Sequence, residues 1–569
     1  MNIVERPYSP SAAYALVKAG IPAVLARVYA ARGIKSLSEI SNSADFLPHS
    51  ALKDADTAAD ILIDAIATQR RILIISDYDA DGATACSIAI RGLTAFGANV
   101  GYLVPNRFDH GYGLTVEIVQ DAAALEPKPS LIITVDNGIS SHAGIDRANA
   151  LGMEVLVTDH HLPADTLPNA RLIVNPNRKD DTFPSKALAG CGVMWYVLWA
   201  LEEKLLAKGV MPIEPGFTIE SLLPLLALGT VADVVPLDAN NRALVRTGLD
   251  MIRTKTSFVG IEALAVVARR DARQLTTGDI AFGIGPRINA AGRLESMKTG
   301  IECLTTNNPE YALELAKRLH EINDTRRKIE VDTVEQACEQ VASTVGPDQY
   351  TAVAFQQDWH KGVVGIVASR IRELVYRPTF IFGSDASGKL TGSGRSIPGF
   401  NLRDALDLIS KRESGLLLKF GGHAAAAGCT LREGGLESFM THFEAVARTL
   451  LTPADLNQQM DTDGQLEPQE MSIETVDQIR DEVWGQAFPE PTFKDTFRVI
   501  KAERIGEDKS HIRMTVVKGA KAYLAVKFRA GDQEVPSQIT AVYKLGANTF
   551  RGATTLQLLI DHFEAAKVA

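Results

Sequence analysis

Apolar residues follow two rhythms along this chain. From about position 51 to 199, short unbroken apolar runs alternate with stretches of helical spacing. The clearest runs are 72–75 (Ile-Leu-Ile-Ile), 131–135 (Leu-Ile-Ile-Thr-Val) and 155–157 (Val-Leu-Val), with weaker ones at 100–104 and 172–174. Runs of this kind with helices between them predict strands of a parallel sheet covered on both faces. Segment 56–67 reads as a helix, and the first 45 or so residues as Ala-rich helix without evident chemistry. From 201 to 304 the pattern is mostly helical, with loops at 229–242 and 283–293. Asn308 suits an N-cap, Pro309 a first helical position, and Gly346-Pro347 a terminator. The run between them has no Gly or Pro and predicts one helix of about 36 residues, roughly 54 Å long; a helix of that length suits a bridge between domains. Strand-like 351–355 and 379–382 around helical 363–374 predict a second α/β unit over 350–450. A polar, acidic connector follows at 455–490. Alternation such as Ile512-Arg513-Met514-Thr515-Val516 then predicts a small β-barrel at the C-terminal end.

Composition narrows the class. At roughly 100–200 residues per domain, 569 residues imply about three to five domains. Hydrophobic residues at 46% and charged residues at 22% suit a folded chain and exclude wholesale disorder. No apolar run nears the ~20 residues of a membrane helix, and 222–228 is short and interrupted by Pro224. The N-terminus lacks a basic segment followed by an apolar one, so no secretory signal is expected. Cys86, Cys191, Cys303, Cys338 and Cys429 are scattered with no CxxC spacing. That predicts a reduced cytoplasmic setting without structural disulfides or a thiolate zinc site. The net charge of −10 excludes a uniformly basic nucleic-acid binder, but from Pro491 onward 13 Lys+Arg stand against 8 Asp+Glu. A basic tail on an acidic body predicts that the tail meets a polyanion.

The strongest chemical signal lies where strands end. The first run leads into Ser76-Asp77-Tyr78-Asp79-Ala80-Asp81-Gly82, the second into Asp136-Asn137-Gly138, the third into Thr158-Asp159-His160-His161. Ligands of open parallel sheets bind beyond the carboxyl ends of the strands, so these groups should converge. Converging carboxylates repel and would be forced to protonate unless cations neutralise them. Hard divalent ions take carboxylate oxygens, and a histidine in the set shifts preference from Mg²⁺ toward Mn²⁺. Five or six potential ligands leave room for two ions, an arrangement suited to hydrolysis at phosphorus. Taken alone, Asp77 or Asp159 could equally be a helix cap. An EF-hand reading of Asp77, Asp79, Asp81 and Gly82 fails, because Ile88 occupies the position that needs a bidentate Glu.

Three glycine-rich stretches could hold a phosphate. Gly283-Ile284-Gly285-Pro286-Arg287 through Arg293 is either a plain interhelical loop or an anion contact, and no Gly-Lys-Ser/Thr follows, so it is no nucleotide P-loop. Arg107 is equally ambiguous. In Gly392-Ser393-Gly394-Arg395-Ser396, small residues could let backbone amides approach a phosphate that Arg395 grips bidentately. Gly421-Gly422-His423 offers similar logic with an imidazole. Arginines thus stand in glycine-rich stretches on both sides of the long helix. In the basic tail, Phe493, Phe497, Tyr523, Phe528, Tyr543 and Phe550 stand near Lys518, Lys521, Lys527, Arg529, Lys544 and Arg551. They are either stacking platforms for a single strand or the barrel's own core.

Asp79-Ala80-Asp81-Gly82, Asp136-Asn137-Gly138 and Asp159-His160-His161, with Gly421-Gly422-His423-Ala424-Ala425-Ala426-Ala427-Gly428 downstream, resemble the DHH phosphoesterase superfamily. The order of elements resembles its branch of bacterial single-strand-specific 5′→3′ exonucleases, from about residue 51 to the C-terminus. The resemblance implies an α/β multidomain fold. Its parts would be a helical segment (1–50), a DHH catalytic domain with a parallel sheet and helical extension (51–305), a long connecting helix (306–348), a DHH-associated α/β domain that binds substrate (349–452), and a linker with an OB-like barrel (453–569). It further implies that Asp79 ligates one ion, that Asp81, His160 and Asp233 (in Gly229-Thr230-Val231-Ala232-Asp233) ligate the second, and that Asp136 bridges them. His161 would face the scissile phosphate, Asp159 would orient a histidine, and Asp77 would be a further ligand. The substrate contacts would be Arg107, His161, Arg287, Ser393, Arg395, Gly422 and His423, with Arg287, Ser393 and Arg395 expected at the 5′-terminal phosphate. The implied activity is release of mononucleotides from single-stranded DNA in repair and recombination, using two divalent ions (Mn²⁺ preferred, Mg²⁺ accepted). A single-strand-binding protein and a helicase are implied partners, and no membrane. Two other readings stay open at this point: a DHH hydrolase of short oligonucleotides or pyrophosphate-like molecules, and a non-catalytic replication scaffold.

Overall fold

The computed structural model describes residues 2–40, 46–106, 110–254, 257–346, 348–384, 388–507, 509–550 and 552–566. It divides into two compact units. One comprises Val4–Gly292, Ser296–His320 and Asp461–Ala569; the other comprises Met1–Ile3, Arg293–Glu295 and Glu321–Met460.

The first unit is built on strands β1 (Ile72–Ser76), β2 (Val100–Leu103), β3 (Leu131–Val135), β4 (Glu154–Thr158) and β5 (Leu172–Val174). They pair in the order β2-β1-β3-β4-β5, parallel throughout. Strand alternation sends successive residues to opposite faces. Ile72, Ile74, Leu131 and Ile133 therefore join one core, while Leu73, Ile75, Ile132 and Val155 join another. Both faces are buried, which is why these strands read as unbroken apolar runs. Each fully buried Ile or Leu contributes about 1.5–3 kcal/mol. The strand order reverses between β1 and β3, the place where open α/β sheets bind ligands.

Three helices of this unit frame that place: α1 (Ala80–Ala95), α2 (Gly190–Ala207) and α3 (Leu223–Asp233); α4 (Val259–Val267) packs away from the sheet. Pro224 lies in the first turn of α3, where its missing N–H costs nothing, so the 222–228 run starts a helix that continues through Gly229 to Asp233. The expected loop at 283–293 is corrected. Residues Ile280–Ile284 form a π-helical turn that leads directly into α5 (Gly285–Leu294). Its glycines permit close packing: a Cβ on Gly285 would lie 3.1 Å from the Ala232 Cβ. The N-terminal segment also gains an unexpected strand, Asn2–Glu5, ahead of helices Pro10–Lys18 and Ala23–Ala31.

Helix α6 (Pro309–Thr344) has 36 residues, as its uninterrupted sequence predicts. Residues 309–320 belong to the first unit and 321–344 to the second. In the second unit, β6 (Ala352–Phe355), β7 (Thr379–Ser384), β8 (Leu390–Arg395), β9 (Leu417–Gly422) and β10 (Ala426–Leu431) pair in the order β9-β10-β8-β7-β6. Gln340 of α6 caps the β6 edge: its Nε2 donates to the Phe355 carbonyl and its Oε1 accepts from the Phe355 N–H, both at 3.1 Å. Helix α7 (Lys361–Val375) covers this sheet.

Here the structure corrects the backbone-cradle reading of Gly392-Ser393-Gly394-Arg395. These residues form strand β8, paired on both sides by β7 and β10, so their amides serve the ladder. Gly392 and Gly394 leave room for the Phe382 and Phe380 rings. Alternation then turns Ser393 and Arg395 toward α7, where a Cβ on Gly365 would sit 3.2 Å from an Arg395 Nη and 3.6 Å from the Ser393 Oγ.

The C-terminal strands β11 (Phe493–Ile505), β12 (His511–Lys518), β13 (Lys521–Lys527), β14 (Gln538–Phe550) and β15 (Ala553–Ala565) close into a barrel. Phe493, Phe497, Tyr523 and Tyr543 are buried in its core, whereas Phe528 is 54% exposed. The Phe550 side chain and Arg551 lie outside the described residues. All five cysteines are free thiols. Among the described residues no helix is long and apolar enough to cross a membrane.

Gly394→Ala places a methyl group 2.5 Å from Phe380 ring carbons. We expect it to destabilise the second unit by about 1–3 kcal/mol, read as a lowered denaturant midpoint with an unchanged slope.

Candidate metal centre

Each metal-competent side chain is fixed by its position on an element. Asp79 caps α1, its Oδ1 accepting the Gly82 N–H at 3.0 Å. Gly82 is required because a Cβ there would meet the Asp77 carbonyl at 2.5 Å. Asp81 lies in the first turn of α1 and is almost wholly buried. Its carboxylate accepts the Gly190 and Cys191 N–H groups at 2.7 and 2.9 Å, placing it on the positive end of α2. Asp136 follows β3 with φ of 63°, a left-handed conformation that costs a non-glycine residue free energy. Gly190 lets it approach, since a Cβ on Gly190 would lie 2.6 Å from that of Asp136. Asn137 ties the β1 and β3 ends together, donating to the Ile75 and Val135 carbonyls. Asp233 ends α3, ahead of Val234 in the left-handed region.

Asp159 is the organiser of the third strand end. One oxygen accepts the His160 N–H (2.7 Å), the His161 N–H (3.1 Å) and the His161 Nδ1 (2.8 Å). The other accepts the Ile139 N–H at 2.8 Å. Asn175 and Asn177 hold the His161 and His160 carbonyls at 2.9 and 2.5 Å. The His160 Nε2 thereby comes to 3.1 Å from Asp136 Oδ1, 3.6 Å from Asp233 Oδ2 and 3.9 Å from Asp81 Oδ2.

Three donor sets result, each with its ligand atoms within 4.8 Å of one another: Asp77, Asp79 and Asp136; Asp81, His160 and Asp233; Asp136, His160 and His161. Electrostatics alone would not gather them. Burial, then the charges of Asp81, Asp79, Asp77 and Asp233, push the Asp136 carboxyl far above its ordinary value. Burial, then Asp81 and Asp79, do the same to Asp233. Burial holds His160 below its usual range and so favours the neutral, ligating imidazole. The buried Asp136 Oδ1 and His160 Nε2 have no hydrogen-bond partner although they face each other. Unsatisfied oxygen and nitrogen donors aimed at shared points are what hard or borderline divalent cations require. The residues present fit such ions.

His161 stands differently. Burial disfavours its charge, but the hydrogen bond and charge of Asp159 prevail and push it up to about 9. Asp159 in turn is pushed up by burial yet held below the usual carboxylate range by His161. Two neighbours escaped the sequence reasoning. The Tyr112 hydroxyl lies 3.1 Å from His161 Nε2, on a turn between Gly111 and Gly113, both at positive φ; the Gly-Tyr-Gly triplet was its only signal. Asn289 of α5 accepts the Ala80 N–H at 2.8 Å and so holds the start of α1. An isolated Asn on a helix gave no hint of that.

The expected substrate residues are more dispersed. The Arg395 guanidinium donates to the Gly394 carbonyl at 2.8 Å. Among the described residues it forms no ion pair with a carboxylate. Burial, then the neighbouring Arg372 charge, weakens its hold on a proton. A half-buried cation without an anionic partner suits a phosphate. Gly422 ends β9 at φ of 133°, and His423 lies in the exposed hairpin turn, its N–H donating to the Ala426 carbonyl. Arg287 is drawn inward, donating to the Gly283 carbonyl at 2.5 Å and the Val267 carbonyl at 3.4 Å. Arg107 lies outside the described residues.

Comparison with known proteins matches this architecture. The DHH family N-terminal domain matches residues 71–230, the DHHA1 domain 348–449 and the RecJ OB domain 462–562. The single-stranded-DNA-specific exonuclease RecJ of Salmonella typhimurium is 43% identical, over 95% of this chain and 96% of its own. The chain belongs to the RecJ family. The RecJ of Escherichia coli is 42% identical over 96% of each chain. The crystal structure of Thermus thermophilus RecJ in complex with Mn²⁺ superposes with a TM-score of 0.83 at 29% identity, covering all of this chain and 80% of that one. A second structure of the same RecJ holds Mg²⁺. This RecJ-family chain is a metal-dependent nuclease that uses divalent ions.

Two expectations follow. In metal-free protein, the raised Asp136 and Asp233 carboxyls keep protons that the unfolded chain has released above the ordinary value of 3.8. Stability should therefore fall as pH rises from there toward the folded-state values. Thermal unfolding of the EDTA-treated protein should show that fall. Mn²⁺ should reverse it, and Asp233→Asn should raise the metal-free Tm at neutral pH. Asp159→Asn, which loosens the His161 support without removing a proposed ligand, should lower activity about 10- to 100-fold, checked by steady-state rates at saturating Mn²⁺.

Proposed function

We propose that the chain is a single-stranded-DNA-specific exonuclease that starts at the 5′ end and releases mononucleotides by two-ion hydrolysis, with Mn²⁺ preferred and Mg²⁺ accepted. The observation that carries this reading is the sharing of Asp136 between two donor sets. Asp77, Asp79 and Asp136 would hold one ion; Asp81, His160 and Asp233 would hold the second, with Asp136 next to it, its Oδ1 3.1 Å from the His160 Nε2. When bound, the ions supply an acidified water and neutralise charge at the departing oxygen. The rest of the work belongs to the side chains. Asp136, fixed by its left-handed turn, would offer its carboxylate to the first ion and, through its place beside His160, to the second. Asp159 accepts the His161 Nδ1 proton, which leaves Nε2 facing outward. Asp159 raises the proton affinity of His161, to about 9 in the metal-free protein, and the outward Nε2–H would donate to a non-bridging oxygen of the scissile phosphate.

Ser393 and Arg395 take the 5′-terminal phosphate, and this sets the direction of digestion. Arg287, Arg107, Gly422 and His423 are proposed as further contacts along the strand. The barrel, in the basic tail, adds an electrostatic hold on the DNA through Phe528 and its neighbouring cations. The segments 1–50, 51–305, 306–348, 349–452 and 453–569 act as the working modules. A single-strand-binding protein and a helicase are proposed partners in repair and recombination, in the cytoplasm. A hydrolase of very small phosphoesters would have no use for a closed basic barrel, and a non-catalytic scaffold no use for a full ligand set.

The test is digestion of 5′-labelled and 3′-labelled single strands beside a duplex. In Mn²⁺ the 5′ label should appear at once as mononucleotide, the 3′ label should shorten progressively, and the duplex should persist. Arg395→Ala should reduce the advantage of a 5′-phosphorylated end over a 5′-hydroxyl by about 10- to 100-fold, the worth of one or two charge-assisted hydrogen bonds. Equal digestion from both ends would overturn the proposed polarity.

A further inference from the structure

Phe282 is 87% exposed, more than any other large apolar side chain of the described residues. It is not a stray surface residue on a loose loop. It sits on the π-helical turn Ile280–Ile284, whose two end residues are fully buried and anchor it. The Arg287 guanidinium fastens the same turn through the Gly283 carbonyl and reaches the Val267 carbonyl at the end of α4. π-Helical turns are uncommon and frequently occur at functional sites.

Two packing contacts locate the turn. A Cβ on Gly285, three residues on, would lie 3.1 Å from the Ala232 Cβ, next to Asp233 of the metal centre. A Cβ on Gly283 would lie 3.8 Å from the Ala268 Cβ. The turn that carries Phe282 therefore packs against both the end of α3, which is followed by exposed Val234 (59%), and α4, whose last turn exposes Val266 (63%). Immediately after Ala268 come Arg269 and Arg270, both exposed; Arg270 pairs with Asp279 at 2.8 Å, and Arg269 is the cation that faces solvent. Residues 266–287 carry Arg269, Arg270, Arg273 and Arg287 against Asp271 and Asp279, a local excess of two positive charges in a chain of net −10. An exposed, rigidly mounted aromatic with adjoining arginines is the combination that binds single strands: the ring stacks a base while cations meet the backbone.

We propose that Phe282 is a base-stacking platform for the single-stranded substrate, with Arg269 as its phosphate contact, beside the metal centre. It is a substrate-positioning residue, not a catalytic one. The inference rests on the proposed single-strand exonuclease activity and names a stacked nucleobase as what the Phe282 face receives. Because stacking uses the face common to every base, it adds affinity without sequence preference.

The experiment uses the full chain and a 5′-phosphorylated single strand of about 20 nucleotides carrying 2-aminopurine at successive positions. Phe282→Ala should raise KM about 5- to 100-fold, the span of one stacked base, and leave kcat within two-fold. Phe282→Leu should be impaired nearly as much, because it keeps the apolar bulk and lacks the ring. Phe282→Trp should keep KM near wild type and quench 2-aminopurine near the 5′ end on binding in EDTA. Arg269→Gln should raise KM and weaken its salt dependence. The inference is overturned if Phe282→Ala changes KM by less than two-fold, or if Phe282→Leu restores it. If wild type digests the strand and Phe282→Ala matches it, only the platform falls. If wild type neither binds nor cuts the strand, the exonuclease reading falls as well.

Discussion

Mutual repulsion among buried carboxylates is the constraint on which this structure depends. Asp77, Asp79, Asp81, Asp136 and Asp233 lie close enough to push the Asp136 carboxyl far above its ordinary range. A buried charge without a partner costs several kcal/mol. The fold tolerates the cluster because its apolar layers on both faces of the sheet are extensive, and because fixed dipoles meet some of the charge. The α2 N-terminus takes Asp81, and the Gly82 amide takes Asp79. What remains unmet, the Asp136 Oδ1 and the His160 Nε2, is where cations belong.

The closeness that creates the repulsion is set by absent side chains. A Cβ on Gly190 would strike Asp136; one on Gly229 would crowd Asp81 and Cys191; one on Gly82 would meet the Asp77 backbone. Helices α1 and α2 thus approach the ends of β1 and β3, and α3 approaches α1 and α2, more closely than any other residue would allow. The metal centre is consequently a property of helix packing as much as of its acids. Replacing one of these glycines would shift ligands without altering any ligand.

Much of this was legible beforehand, for a physical reason. A buried parallel strand reads as an unbroken apolar run, so the ends of β1, β3 and β4 could be located, and with them the acids beyond. The 36-residue helix was legible because nothing in it can interrupt a helix. Residues whose meaning depends on tertiary neighbours were not. Asp233 is an ordinary helix-terminal acid until α3 is placed, and only family resemblance singled it out. Gly392 and Gly394 looked like a phosphate loop, whereas their purpose is to admit Phe382 and Phe380. The 283–293 stretch looked like a loop for the same reason: glycine signals freedom in a sequence, yet in a packed helix it signals contact. The barrel aromatics carried the opposite ambiguity, and burial resolved Phe493, Phe497, Tyr523 and Tyr543 as core.

That resolution bears on how an acidic chain handles a polyanion. With most barrel rings committed to the interior, stacking must come from rings that are exposed, and the described residues offer few beside basic groups. Phe528 in the barrel and Phe282, on the turn packed against α3, meet that condition. Neither reads base identity, and neither does a cluster of carboxylates and imidazoles. Polarity, by contrast, needs a group that tells one end of a strand from the other. On the proposed reading this is the half-buried Arg395, which has no carboxylate partner among the described residues and would meet the phosphate of the 5′ end. On that reading, indifference to sequence and discrimination between ends arise from different residues, and each can be altered without disturbing the proposed metal ligands.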